Sequence, residues 1–123
     1  MDDEKILRDV MDRWKDAVAA HEPERVAANF ATDAVFQGLR PHVVGREAVA
    51  AYYAAQPLGL KAEYEFLETR RFGDGVVLGY LSVDFAFADR PTLSVYLGVL
   101  VQDGLIAHYQ VSPRPGEGVS PTV

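Results

Sequence analysis

A chain of 123 residues with 49% hydrophobic and 11% aromatic side chains has the size of one domain and enough apolar material for a single core. Twelve Lys and Arg against eighteen Asp and Glu give a formal net charge of -6, and apart from Arg70 and Arg71 the basic residues are scattered. No basic patch is available to meet phosphates, so nucleic acid and anionic membrane are disfavoured as partners, and the lack of cysteine excludes disulfides, thiolate metal sites and a cysteine nucleophile.

The opening MDDEKILRDV is acidic where a secretory signal would be basic, and no apolar run approaches the roughly 18 residues of a membrane span. A soluble, cytoplasmic protein is expected. Ile6, Leu7, Val10, Met11, Trp14, Ala17 and Val18 recur at spacings of three and four, which predicts an amphipathic helix over residues 3–20. Asp2, Asp3 and Glu4 sit at its start, where the helix dipole favours negative charge. His21 and Glu22 break it. Pro23 suits the first turn of a second helix with Val26, Ala27 and Phe30 facing inward, ended by Thr32 and Asp33.

A short strand over 34–37, a turn over 38–41 and a return over 42–44 follow. Gly45 then opens a third helix that carries Val49, Tyr52, Tyr53 and Gln56 along one side and stops before Pro57. From there the chain reads as strand: 61–72, 76–87, 92–102 and 105–112, joined by turns at Gly73-Asp74-Gly75, Asp89 to Pro91 and Asp103-Gly104. Antiparallel strands of this length must twist and curl. The expected fold is α+β, a curved antiparallel sheet with three helices on its concave face. A single domain over 1–112 and a mobile tail over 113–123, PRPGEGVSPTV, complete the organisation.

An N-terminal helix, the segment FATDAVFQG, a Gly-Arg-Glu helix start followed by a Tyr-Tyr pair, and four strands ending in QDGLIAHYQ together resemble the nuclear transport factor two-like superfamily. Within it the chain looks most like the SnoaL-like and ketosteroid-isomerase-like branch. The resemblance covers roughly residues 3–112 and implies a cone whose mouth leads to an apolar pocket, with dimers formed through the sheet in many members. It does not choose among isomerases, cyclases, dehydratases, hydrolases and non-catalytic binding modules. The isomerase-like relatives carry a tyrosine on the first helix where this chain has Trp14.

Two function classes remain open on the sequence: a cofactor-independent enzyme using acid-base chemistry on a small apolar substrate, and a non-catalytic ligand-binding or dimerisation module. No metal-ligand spacing and no nucleotide motif is present, so neither metal nor cofactor is expected. Asp84, inside an apolar strand, is a candidate catalytic base. Parity within that strand instead makes Leu81, Val83, Phe85 and Phe87 the core row and leaves Tyr80, Ser82 and Asp84 on the convex face.

Trp14, Phe30, Phe36 and Tyr52 are core aromatics that can also line a cavity. Tyr53, Tyr64 and Tyr80 are expected to be partly exposed or interfacial. A two-residue Asp103-Gly104 turn opposes Val99 to His108 and Leu97 to Gln110, which places His108 as a catalytic candidate and Gln110 as a ligand contact beside Leu97 and Val99 on the concave side. An extra residue in either strand would reverse that parity. A buried histidine satisfied by a neighbouring group is the equal alternative. On the same register Tyr96, Leu100, Tyr109 and Val111 form an apolar convex patch, from which a homodimer through the sheet is expected.

Overall fold

The computed structural model describes residues 2–114. Helix α1 spans Asp3–Ala19 and is capped by Asp2, whose Oδ1 accepts from the backbone N–H of Glu4 at 3.0 Å and of Lys5 at 3.4 Å. It buries the predicted stripe of Leu7, Val10, Met11, Trp14, Ala17 and Val18. Lys5 pairs with Asp9 and Arg8 with Glu4 on its outer side. Helix α2 is the single turn Pro23–Ala27, shorter than expected, because Phe30 already begins strand β1 (Phe30–Gln37).

The reason is tertiary. Ile106 donates its backbone N–H to the Asn29 carbonyl at 2.8 Å, and Phe30 finds a ladder partner in Ile106. A strand partner more than seventy positions away competes with local helix propensity here. Strand β2 (Val43–Val44) returns against β1, and helix α3 (Arg46–Ala54) starts after Gly45, whose φ of +96° suits glycine. Arg46 ties this start to β1 by donating from Nε to the Phe30 carbonyl at 2.6 Å.

Strands β3 (Lys61–Gly73), β4 (Val76–Ala86), β5 (Leu93–Gln102) and β6 (Leu105–Pro113) follow within a residue or so of the predicted bounds. All belong to one curved six-stranded sheet in the order β2-β1-β6-β5-β4-β3. The sheet is mixed: β1 runs parallel to β6, whereas a wholly antiparallel sheet was expected. The fold class is α+β, as the sequence predicts. In β4, Leu81, Val83 and Phe85 are buried while Tyr80, Ser82 and Asp84 face outward, in keeping with parity.

The β5–β6 hairpin departs from its predicted register in one place. Asp103 (φ 51°) and Gly104 (φ 79°) form the two-residue turn, and Gln102 opposes Leu105 and Val101 opposes Ile106. Leu100 then opposes His108, leaving Ala107 as an unpaired extra residue. This bulge reverses every later side chain of β6. Tyr109 and Val111 turn into the core, and His108 and Gln110 turn to the outer face. The bulged register spares the imidazole and the carboxamide a costly apolar burial, and it buries a tyrosine and a valine instead.

Two residues of the expected tail are among those described. Pro113 ends β6, and Arg114 donates from Nη2 to Asp84 Oδ1 at 2.6 Å. The rest of the expected mobile tail lies outside the described residues. Among those described, no helix is long and apolar enough to cross a membrane.

Candidate functional site

Between α3 and the concave face lies a cavity of about 360 Å³, within the range of small-molecule sites. Its floor and walls come from Tyr53 and Leu60, from Phe85 on β4, from Val95 on β5, and from Tyr109 and Val111 on β6. The rim carries Leu39, Arg40, Phe87 and Arg90 from the loops at that end of the sheet and Leu93 from the start of β5, with Tyr52 and Gln56 on the helix side.

The polar groups of the floor form a chain. Trp14 donates from Nε1 to Tyr53 Oη at 3.0 Å, and the Tyr53 hydroxyl donates to Tyr109 Oη at 3.5 Å. Tyr53 is 5% and Tyr109 1% exposed. Burial pushes both phenols well above their ordinary range. For Tyr53 the hydrogen bonds to Tyr109 and Trp14 work in the opposite direction, while for Tyr109 the neighbouring Tyr53 adds to the rise. Both therefore stay protonated and serve as hydrogen-bonding groups, not as bases. Among the described residues, Tyr109's own hydroxyl proton has no protein acceptor. Burial also raises Tyr52, partly offset by the positive charge of Arg40.

The sequence-predicted residues divide. Tyr52 lines the cavity. Trp14, Phe30 and Phe36 are fully buried in the core behind it, packed on Tyr109 at centroid distances of 6.2, 5.9 and 4.5 Å. Leu97 and Val99 are fully buried on the concave side without lining the cavity. Trp14 acts on it through its hydrogen bond to Tyr53 and through ring contacts with Phe85 and Tyr109.

Neither catalytic candidate enters this cavity. His108 lies on the outer face because of the Ala107 bulge, with Nε2 3.4 Å from Gln110 Oε1, and Gln110 accompanies it there. Asp84 is also outside: Ser94 Oγ donates to its Oδ1 at 2.6 Å, and Arg114 pairs with the same oxygen. The bond from Ser94, with Arg114 beside it, holds this carboxyl below the usual aspartate value. The convex patch loses Tyr109 and Val111 and keeps Tyr96 and Leu100. Tyr96 stacks on the exposed Tyr80 at 5.7 Å.

Tyr53 and Tyr109 were missed as site residues. The adjacent Tyr52 and Tyr53 share a helix side in the sequence pattern, which was the available signal for Tyr53. Nothing local marks the bulge that brings Tyr109 inward. Arg40 and Arg90, both in turns, carry no periodic signal either.

Three solved structures share this architecture. A domain of unknown function with a cystatin-like fold from Nostoc punctiforme superposes with a TM-score of 0.80 at 20% identity, over 94% of this chain and 79% of that one. A ketosteroid isomerase-like protein from Erwinia carotovora atroseptica gives 0.70 at 17% identity, over 91% and 96%. The chain has the nuclear transport factor two-like fold. An LEH-like epoxide hydrolase from M. tuberculosis has the same fold, with a TM-score of 0.62 at 16% identity over 85% and 80% of the two chains. Neither a protein-family model nor a curated protein matches the chain. In this fold the cavity sits between sheet and helices.

Proposed function

We propose that the protein binds a small, mainly apolar molecule in the cavity beneath α3, with an acceptor oxygen of that molecule meeting the Tyr53 and Tyr109 hydroxyls. The composition of the lining carries this reading. Aromatic and aliphatic side chains surround a few convergent polar groups, the arrangement that orients a ligand. Isomerase-like and hydrolase relatives of this fold make a small molecule the natural occupant.

Binding is favoured over acid-base catalysis. A general base needs a pKa near the working pH and a place within reach of the substrate. Among the described residues, the lining holds no carboxylate and no imidazole, and its phenols are held protonated. His108 and Asp84, the candidates that would supply such a group, lie on the other side of the sheet.

A thermal-shift titration with 2-acetylnaphthalene and camphor tests the reading, since a ligand selective for the native state stabilises it by mass action. The melting temperature should rise with concentration for the parent protein. In Val111→Phe, which fills the cavity, and Leu93→Tyr, which obstructs its rim, the rise should shrink, with the buried Trp14 emission reporting that both variants are folded. No rise for either compound at millimolar concentration overturns the reading, as does an undiminished rise in both folded variants.

A further inference from the structure

We infer that the cavity mouth is a carboxylate subsite, where Arg40 and Arg90 receive the acid group of a small organic acid whose ring or chain fills the cavity. This rests on the binding reading above and names its ligand class.

Among the described residues, the charged side chains lining the cavity are Arg40 and Arg90, and both are positive. The chain as a whole has eighteen acids against twelve bases. With that surplus an acidic residue among the lining would be the ordinary arrangement, and among the described residues the lining holds none.

Arg40 also stands apart from the other arginines. The remaining eight each donate to a protein acceptor, whether a carboxylate, a carbonyl or the Asn29 side chain. Among the described residues Arg40 has no such acceptor. Its positive charge is nevertheless felt at the Tyr52 hydroxyl, on the cavity wall.

Arg90 is held in place. Its guanidinium lies over the Phe87 ring at 4.9 Å, and its Nε and Nη2 donate to Asp89 at 3.1 and 3.3 Å. Asp89 is the carboxylate that would compete with a ligand there. The pair joins sequence neighbours whose side chains are both more than half exposed, where such ion pairs are weak, and a guanidinium has five N–H donors, so Arg90 keeps donors for a second acid. Arginine is suited to this task because its planar fork matches a carboxylate.

The two ends of the cavity thus differ in kind. Phenolic hydroxyls lie at the floor, guanidinium groups at the mouth, and apolar side chains between them. A molecule matching this order has a carboxylate, an apolar middle of one or two rings, and a neutral oxygen or ring edge at the far end.

Isothermal titration calorimetry with 2-naphthylacetate and 2-naphthylacetamide, which share a shape and differ in charge, tests the assignment. For the parent protein the acid should bind at least about tenfold more tightly than the amide, a difference of about 1.4 kcal/mol. That preference should weaken as salt is raised. In the double variant Arg40→Gln with Arg90→Gln it should fall to within about twofold, through loss of the acid's affinity, with the amide unchanged. Both substitutions are on exposed loops and should leave the fold intact. If the amide binds as tightly as the acid, or the preference survives in the double variant, the carboxylate subsite is wrong while the cavity still binds. If neither compound binds, the subsite and the binding reading both fail.

Discussion

Phe36 and Tyr109 stand opposite each other across the parallel β1–β6 pair and stack, with centroids 4.5 Å apart and ring planes 14° from parallel. Around this stack are set Phe30, Tyr52 and Tyr53, each edge-on or tilted to Phe36 or Tyr109. The cluster closes the inner end of the cavity, and it exists because the Ala107 bulge turns Tyr109 inward.

The bulge can be tested by length. Deleting Ala107 should preserve the fold, since Leu100 would still oppose His108 and Tyr109 would still face the core. Inserting a second alanine after Ala107 should take Tyr109 out of its site either way: with the bulge kept it turns outward, and in a regular ladder it slides from opposite Val99 to opposite Leu97 and off the Phe36 ring. Losing one large buried aromatic typically costs about 3–5 kcal/mol, a large share of a domain's stability. Urea unfolding followed by the emission of the single tryptophan, Trp14, should show a cooperative transition for the deletion and none for the insertion.

The hydroxyl chain should respond unequally to truncation. Tyr53→Phe leaves the fully buried Trp14 N–H without its acceptor, a penalty of about 1–3 kcal/mol. Tyr109→Phe removes only the partner at 3.5 Å and should cost less, about 1 kcal/mol or below. Denaturation midpoints at constant m-value would measure both, and an equal or reversed order would contradict the chain's direction.

Asp84 should matter for stability at neutral pH and not for binding. Its folded pKa is depressed below 3.8, so its contribution is fully present above that value and is lost as pH falls through the lower folded pKa. Half its side chain is exposed, which limits the gain to about 1 kcal/mol or less. Asp84→Asn should therefore be slightly less stable than the parent at pH 7 and indistinguishable from it in strong acid, with the affinity for 2-naphthylacetate unchanged.

Gly38 sets the position of Tyr52. A Cβ there would lie 2.7 Å from Tyr52 Oη and 3.2 Å from Cζ, while the ring is held edge-on to Phe36 at 4.7 Å. Gly38→Ala should displace the ring, cost about 1–3 kcal/mol and weaken ligand binding. Adding Tyr52→Phe should recover part of the stability, because the closest contact is then gone. A melting curve for the pair of variants decides it.

The elements, the curved sheet and the inward row of β4 were legible in the sequence because each follows from local rules. Helical spacing marks Leu7 to Val18, alternation marks Leu81, Val83 and Phe85, and Asp103-Gly104 marks a two-residue turn. The candidate site was legible only in part. Tyr52 belongs to a helix face that its own neighbours define, whereas the facing of His108 and Tyr109 depends on one unpaired residue in a ladder. Side-chain direction in a strand has a period of two, so a single extra residue inverts it, and the inversion is favoured by Phe36 on a strand seventy residues earlier. The parallel β1–β6 pair and the placing of Arg40 and Arg90 at one mouth likewise depend on segments distant in the chain. Only the tertiary structure, where burying Tyr109 outweighs a regular ladder, decided which side chains enter the cavity.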